Sequence, residues 1–349
     1  MELDDTERPR GTHPLRRFRT RIVLAALVAV VAAAIAAGLA LATTRPAPIG
    51  TGVVVIDTNL AYQDGQAAGT GMVLTSSGVV LTNNHVIRDA TAIRVVVPTT
   101  GRSFTAKVVG YDASDDVAVL QASDASNLKT IPLGDSATLN AGQSVKALGN
   151  AGGTGSLRAA SGTVTGVDRA ITVSDDQGGS ESLTGMIETN AGVQPGDSGG
   201  PLMNSAGQVV GMDTAASVGN GFEQAATSDG YAIPIDKAMS IAQQIVRGDA
   251  SATIHVGDTA FLGVEVAENT YGGSGAVISS VVPGSPADAA GLTPGDLITS
   301  FGGQAVSSPA GLTTIVMTQK PGAPISATYV GQDGATQTAN LALASGPPR

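Results

Sequence analysis

Cysteine and tryptophan are both missing from the 349-residue sequence, and histidine occurs only three times. Without cysteine there is no disulfide scaffold, no thiolate metal centre and no cysteine nucleophile. With only three histidines, a multi-histidine zinc centre is also hard to assemble. Aromatic residues make up only 3% of the chain, so its cores must be built from Val, Ile, Leu and Ala in short strands with glycine turns. Basic charge is scarce too: 19 Lys and Arg stand against 29 Asp and Glu, for a net charge of −10. That balance leaves no electrostatic footprint for nucleic acid. Glycine is abundant (46 residues) and proline moderate (17), but without a G-X-Y period, which excludes a collagen-like or low-complexity chain. The length suits two soluble domains and a tail.

One long apolar run is present. Ile22 to Ala42 carries no charge, and about 20 such residues suffice to cross a hydrocarbon core as a helix. Arg16, Arg17, Arg19 and Arg21 precede it, so the positive-inside bias puts residues 1–21 in the cytoplasm and everything after Thr43 outside. The expected arrangement is a cytoplasmic tail at 1–21, a transmembrane helix or signal anchor at 22–43 and a linker at 44–50. Ala40-Leu41-Ala42 also fits a signal-peptidase site, so the alternative is secretion after cleavage near Ala42.

Downstream, β-branched runs alternate with turn signals up to about Ile235, as in Gly52–Ile56, Gly71–Thr82, Ile93–Val97, Val117–Leu120, Ser144–Gly149 and Gln208–Met212. Strands at this spacing predict a sandwich or barrel, mainly β. The hairpin around Thr75-Ser-Ser-Gly echoes the one around Asn204-Ser-Ala-Gly, which suggests two sub-barrels. Asp236 to Arg247 places Ala238, Met239, Ile241, Ala242, Ile245 and Val246 near helical spacing and stops at Gly248. We read 51–248 as one domain and 256–345 as a second, smaller one.

Chemistry concentrates in three segments of the first domain. Gly196-Asp-Ser-Gly-Gly-Pro-Leu surrounds Ser198 with glycines, which permit a tight turn in which the N–H groups of Gly196 and Ser198 can point at one oxyanion. A serine nucleophile needs a base. His13 precedes the apolar run and His255 falls in the linker between the domains, which leaves His85 in Leu81-Thr-Asn-Asn-His-Val-Ile. The base needs a carboxylate to hold its tautomer. Asp112, Asp115 and Asp116 are candidates; Asp116, against the apolar run Val117–Leu120, is best placed for partial burial, with Asp115 next. The order His, Asp, Ser is that of chymotrypsin-like double barrels.

With TNNHV, DDVAVL, GDSGGPL and YAIPI in this order over roughly residues 50–345, the chain resembles the HtrA (DegP/DegQ) serine proteases, in particular the actinobacterial PepA-type secreted members. The resemblance implies a chymotrypsin-like double β-barrel protease domain followed by a small α+β PDZ domain. It implies His85 as base, Asp116 as orienting acid and Ser198 as nucleophile, with Gly196 and Ser198 forming the oxyanion hole. Asn83 and Asn84 match the family strand without a catalytic role. Gly192 and Val193 would line the substrate pocket; neither is acidic, so cleavage after small aliphatic residues is expected rather than after Lys or Arg. Asp197 departs from the Asn of many relatives, and whether it needs a partner charge is open.

Ala260-Phe-Leu-Gly-Val and the run Val281 to Ile298 carry the PDZ likeness, which implies that Leu262, Gly263 and Val264 hold the carboxylate of a C-terminal peptide. The implied partners are unfolded or misfolded protein substrates, paired as extended segments near Tyr231–Ile235, and C-terminal peptides. The membrane is met through residues 22–43, a homotrimer is possible, and no cofactor is needed. The alternative from another class is a non-proteolytic holdase or adaptor acting through the PDZ domain.

Overall fold

The structure is a computed structural model that describes residues 50–174, 180–214, 230–270 and 272–349. The expected membrane segment at 22–43 lies outside the described residues, among which no helix is long and apolar enough to cross a membrane.

The first six strands are β1 (Val53–Leu60), β2 (Gly65–Val73), β3 (Val79–Thr82), β4 (Ala92–Val97), β5 (Arg102–Asp112) and β6 (Val117–Ala122), with the single-turn helix α1 (Asn84–Ile87) after β3. They pair antiparallel in the order β5-β4-β1-β2-β3-β6, and β6 returns to β5 to close the ring. Alternate positions Val54 and Ile56, with Val80, Val95 and Leu120, fill its interior, as the period-2 geometry of strands requires.

A second set follows: β7 (Ser144–Gly149), β8 (Arg158–Ser174), β9 (Ser180–Thr189), β10 (Pro201–Asn204), β11 (Val209–Thr214) and β12 (Gly230–Pro234). These close into a barrel in the order β10-β11-β12-β9-β8-β7 around Val145, Val164, Ile187, Leu202 and Val210. The two similar hairpins read in the sequence occupy matching turns. In one, Gly78 N–H donates to Thr75 O, and in the other Gly207 N–H donates to Asn204 O. Helix α2 (Ile235–Arg247) buries Ile235, Ala238, Met239, Ile241, Ala242 and Ile245 against β5, β6 and β11, while Val246 is only half-buried.

Two expectations change. Tyr231–Ile235 is not an open edge, because Tyr231 and Ala232 in β12 pair with β11 on one side and β9 on the other. An extended substrate therefore cannot add there. The linker holding His255 is itself a strand, β13 (Ile254–Val256), added to β5, with His255 stacked on Tyr111 at 5.0 Å between ring centroids.

The C-terminal part comprises β14 (Thr259–Phe261), β15 (Val264–Glu268), β16 (Ala276–Val281), α3 (Pro286–Ala289), β17 (Leu297–Phe301), β18 (Gln304–Ala305), α4 (Pro309–Met317), β19 (Pro324–Val330), β20 (Thr336–Ala342) and β21 (Ala344–Gly346). Its main sheet runs β15-β16-β17-β19-β20, so β15 is an edge strand; β14 pairs with β21. Ser285 and Ser308 cap α3 and α4 by accepting from the N–H groups of Asp288 and Gly311, and a proline opens each helix.

Candidate active site

His85 lies on α1, directly after the buried residues Thr82, Asn83 and Asn84 that lead from β3 into the helix, and its side chain is about one-third exposed (36%). Of the three candidate aspartates, only Asp116 meets it. Asp116 is 5% exposed, its Oδ2 lies 2.8 Å from His85 Nδ1, and its Oδ1 accepts the His85 backbone N–H at 2.9 Å. One carboxylate therefore grips both the ring and the main chain of the histidine. Asp112 instead accepts from Ser114, the Asp115 N–H and Thr253, and Asp115 pairs with Lys237 at 2.6 Å. The tight turn before β6 holds Asp116 at φ 54°, in the left-handed region that Asp tolerates better than most residues.

Two partners of Asp116 were not read from the sequence as functional. Thr214, buried at the end of β11, donates its hydroxyl to Asp116 Oδ2 at 3.2 Å. Asn83, fully buried, donates its amide to Asp116 O at 2.9 Å. Asn83 stands two residues from His85 in the motif already singled out; Thr214 carries no local signal, because only the fold brings β11 to β6.

Ser198 is buried in the turn between Asn190 and β10. Asp197 N–H donates to Gln194 O, and Gly200 N–H to Asp197 O. Gly196 adopts φ 96° with its Cα against Asn150: a Cβ there would lie 2.3 Å from Asn150 O. From β11, Asp213 O accepts the Gly199 N–H and Asp213 N–H donates to Gly200 O, both at 2.8 Å. Adjacent residues Asp213 and Thr214 thus hold the Ser198 turn and the Asp116 carboxylate, and so bring the two halves of the site together. Gly192 borders open space, and Val193 packs over Gly230; no acidic side chain stands at either position. Residues 215–229, which follow β11, lie outside the described residues.

Behind this turn sits a second acidic pair. Asp213 is fully buried, and neither of its carboxyl oxygens has a hydrogen-bond partner among the described residues; Asp197 Oδ1 is also without one, while its Oδ2 accepts from Gln194 N–H. Burial pushes the Asp213 carboxyl well above the usual carboxylate range, and the neighbouring Asp197 pushes it further. Asp197 is raised by burial as well, against the Gln194 N–H. No cation pairs with either among the described residues.

The unfolded chain releases the Asp213 proton at an ordinary carboxylate pKa, whereas the folded chain retains it to higher pH. Across that window the unfolded state binds fewer protons, so stability falls as pH rises. Asp213→Asn is expected to leave stability nearly unchanged at about pH 4 and to raise it at about pH 8. The gain grows with pH, because the substitution removes a buried charge that the folded chain carries only at a free-energy cost. Thermal unfolding at both pH values checks this; an offset identical at both would contradict the assignment.

At the start of the C-terminal part, Leu262 O accepts from Ala287 N–H and Gly263 O from Val282 N–H. Leu262, Gly263 and Val264 line a narrow groove between β15 and α4, together with Val266, Leu312, Val316 and Arg349.

Residues 69–212 match the trypsin-like peptidase domain family, and residues 260–343 match the PDZ domain family. The chain therefore joins a peptidase domain of the serine-protease class to one PDZ domain. It is 32% identical over 304 residues to the serine protease PepD of Mycobacterium tuberculosis, covering 83% of this chain and 63% of that protein. To the periplasmic pH-dependent serine endoprotease DegQ of Escherichia coli it is 35% identical over 267 residues, covering 74% of this chain and 56% of that protein. Among solved structures, the HtrA-type protease AlgW with a tripeptide is similar at 28% identity and a TM-score of 0.50, covering 86% of this chain and 95% of that one. The chain belongs to the HtrA-type serine proteases. It spans roughly three-fifths of the length of the curated relatives it matches.

Proposed function

We propose that this chain is a serine endopeptidase of the cell envelope that cleaves unfolded or misfolded proteins after small aliphatic residues and binds C-terminal peptides at its PDZ domain. The observation that carries the reading is the double grip of Asp116 on His85, tied through Thr214 and Asp213 to the turn that presents Ser198. In this reading His85 takes the proton of Ser198 as the hydroxyl oxygen attacks the scissile carbonyl. The Gly196 and Ser198 N–H groups receive the oxyanion. The tetrahedral intermediate collapses, His85 returns the proton to the leaving amine, and water repeats the sequence on the acyl-enzyme. The imidazolium formed in each half is stabilised by Asp116.

Gly192 and Val193 would form the base and wall of the substrate pocket, where a lysine or arginine would find no counter-ion. The open edge of β15 and the loop at Leu262–Val264 fit addition of a peptide strand whose carboxylate meets backbone N–H groups. The protease and PDZ domains are placed outside the membrane, held by residues 22–43 or released after cleavage near Ala42, and a homotrimer is the proposed assembly.

Incubating the purified full chain with casein and with folded proteins of similar size tests the function. The expected result is fragmentation of casein alone, with Val or Ala at most new C-termini. Binding of casein without any cleavage would favour the holdase or adaptor reading instead, and cleavage chiefly after Lys or Arg would overturn the pocket assignment.

A further inference from the structure

Resting on the assignment of Ser198 as nucleophile, we propose that Thr70 is a positioning residue that sets the oxyanion hole from the opposite barrel. Thr70 lies on β2, is fully buried, and uses every polar atom it has. Its N–H donates to Ser198 O at 2.9 Å, and its hydroxyl donates to Gly196 O at 2.7 Å. The same hydroxyl accepts from Asn150 N–H at 2.9 Å, and its carbonyl accepts the Thr82 hydroxyl at 2.8 Å.

The two carbonyls held by Thr70 belong to the peptide planes on either side of the one that carries the Ser198 N–H. Fixing both planes leaves that amide little rotation, and the Gly196 carbonyl is fixed at the same Cα as the second donor. Gly196 is the position most in need of such control: glycine explores positive and negative φ almost equally, so nothing intrinsic to the residue holds φ at 96°. The Asn150 bond in turn sets the Thr70 rotamer, since the hydroxyl must donate to Gly196 O while it accepts from Asn150 N–H. Asn150 O packs against Gly196, so the clamp closes on the turn from two directions. Thr82 carries the arrangement to the end of β3, from which the chain passes through Asn83 into α1 and His85.

A hydroxyl acting this way affects the transition state more than substrate binding, because the oxyanion forms only as the reaction proceeds. Thr70→Val removes the hydroxyl and keeps the shape; Thr70→Ser restores it. The experiment measures kcat and KM on one peptide substrate, affinity for a peptide boronate that mimics the tetrahedral intermediate, and the unfolding midpoint. The expectation for Thr70→Val is a kcat about tenfold to 100-fold lower with KM within about twofold, a parallel loss of boronate affinity, and recovery in Thr70→Ser. If Thr70→Val does not fold, Thr70→Ala removes the same hydroxyl without placing a methyl against Asn150.

Full kcat in Thr70→Val, or a loss confined to KM, would overturn the proposal. So would failure of both hydroxyl-free variants to fold, since the hydroxyl would then hold the domain rather than the hole. Ser198→Ala, run alongside, separates the premises: activity persisting there would reject the nucleophile itself, whereas an inert Ser198→Ala beside an active Thr70→Val would reject only the clamp.

Discussion

Asp116→Asn is expected to lower kcat by about 10⁴-fold while leaving KM and the fold nearly unchanged, the scale on which loss of the orienting carboxylate acts in a serine-protease triad. The carboxylate accepts twice from the same histidine, with Oδ2 2.8 Å from Nδ1 and Oδ1 2.9 Å from the backbone N. An asparagine has one accepting oxygen. If that oxygen keeps the backbone bond, the amide faces Nδ1 and donates to it. The ring proton then moves to Nε2, which can no longer take a proton from Ser198. Thr214 adds to the mismatch, because its hydroxyl also donates to Oδ2. Backbone strain is not a confounding factor, since asparagine tolerates the left-handed φ of 54° that Asp116 adopts. Steady-state kinetics together with the unfolding midpoint check this. A loss of less than tenfold would mean that the pair does not serve catalysis.

Gly199→Ala should be among the most damaging single changes in the chain. A Cβ at this position would lie 2.1 Å from Thr70 O and 2.3 Å from Thr82 Oγ1, and the backbone sits at φ 82°. The carbonyl is backbone and is already held by the Thr82 hydroxyl, so neither atom can yield without giving up the contact between the Ser198 turn and β2. The expected cost exceeds about 3 kcal/mol, beyond the usual range for a point mutation, with activity lost alongside. Gly207→Ala provides the control. Its φ of 75° imposes similar backbone strain, but a Cβ there meets nothing within 4 Å. Its cost should stay near the strain alone, about 1–2 kcal/mol. Equal destabilisation of the two variants, read by denaturant unfolding, would show that the close approach at Gly199 does not matter.

What could be read from the sequence follows the range over which each signal acts. The helix at 235–247 declares itself through local spacing and its glycine stop, and the hairpins at Thr75–Gly78 and Asn204–Gly207 through turn chemistry. The long strands β8 and β9 do not: Arg158–Ser174 and Ser180–Thr189 are rich in Thr, Ser, Gly and charge, bulged in several places, and show no clean alternation. Their strand character comes from pairing within the closed barrel.

The same division holds at the site. Uniqueness within its domain singles out His85, and a dense glycine motif marks Ser198. Among three aspartates within five residues, the apolar run after Asp116 ranks it first, and the turn geometry brings that one to the histidine. Thr70 and Thr214 act through contacts spanning about 100 residues of chain or more, Asp213 through the pairing of β11 with the Ser198 turn, and nothing near them in sequence announces it. The misplaced substrate edge at Tyr231–Ile235 has a similar cause. Apolar alternation marks a strand, but whether its second side is already occupied depends on the barrel order.

Everything proposed for the site depends on Ser198 acting as the nucleophile of a working peptidase. Treating the full chain with a fluorophosphonate and locating the adduct by mass spectrometry tests it most directly, with casein degradation measured in parallel on the parent and on Ser198→Ala. One adduct is expected, on the peptide containing Ser198, absent from Ser198→Ala together with all casein cleavage. Degradation that persists in Ser198→Ala, or an adduct on another residue, would contradict it.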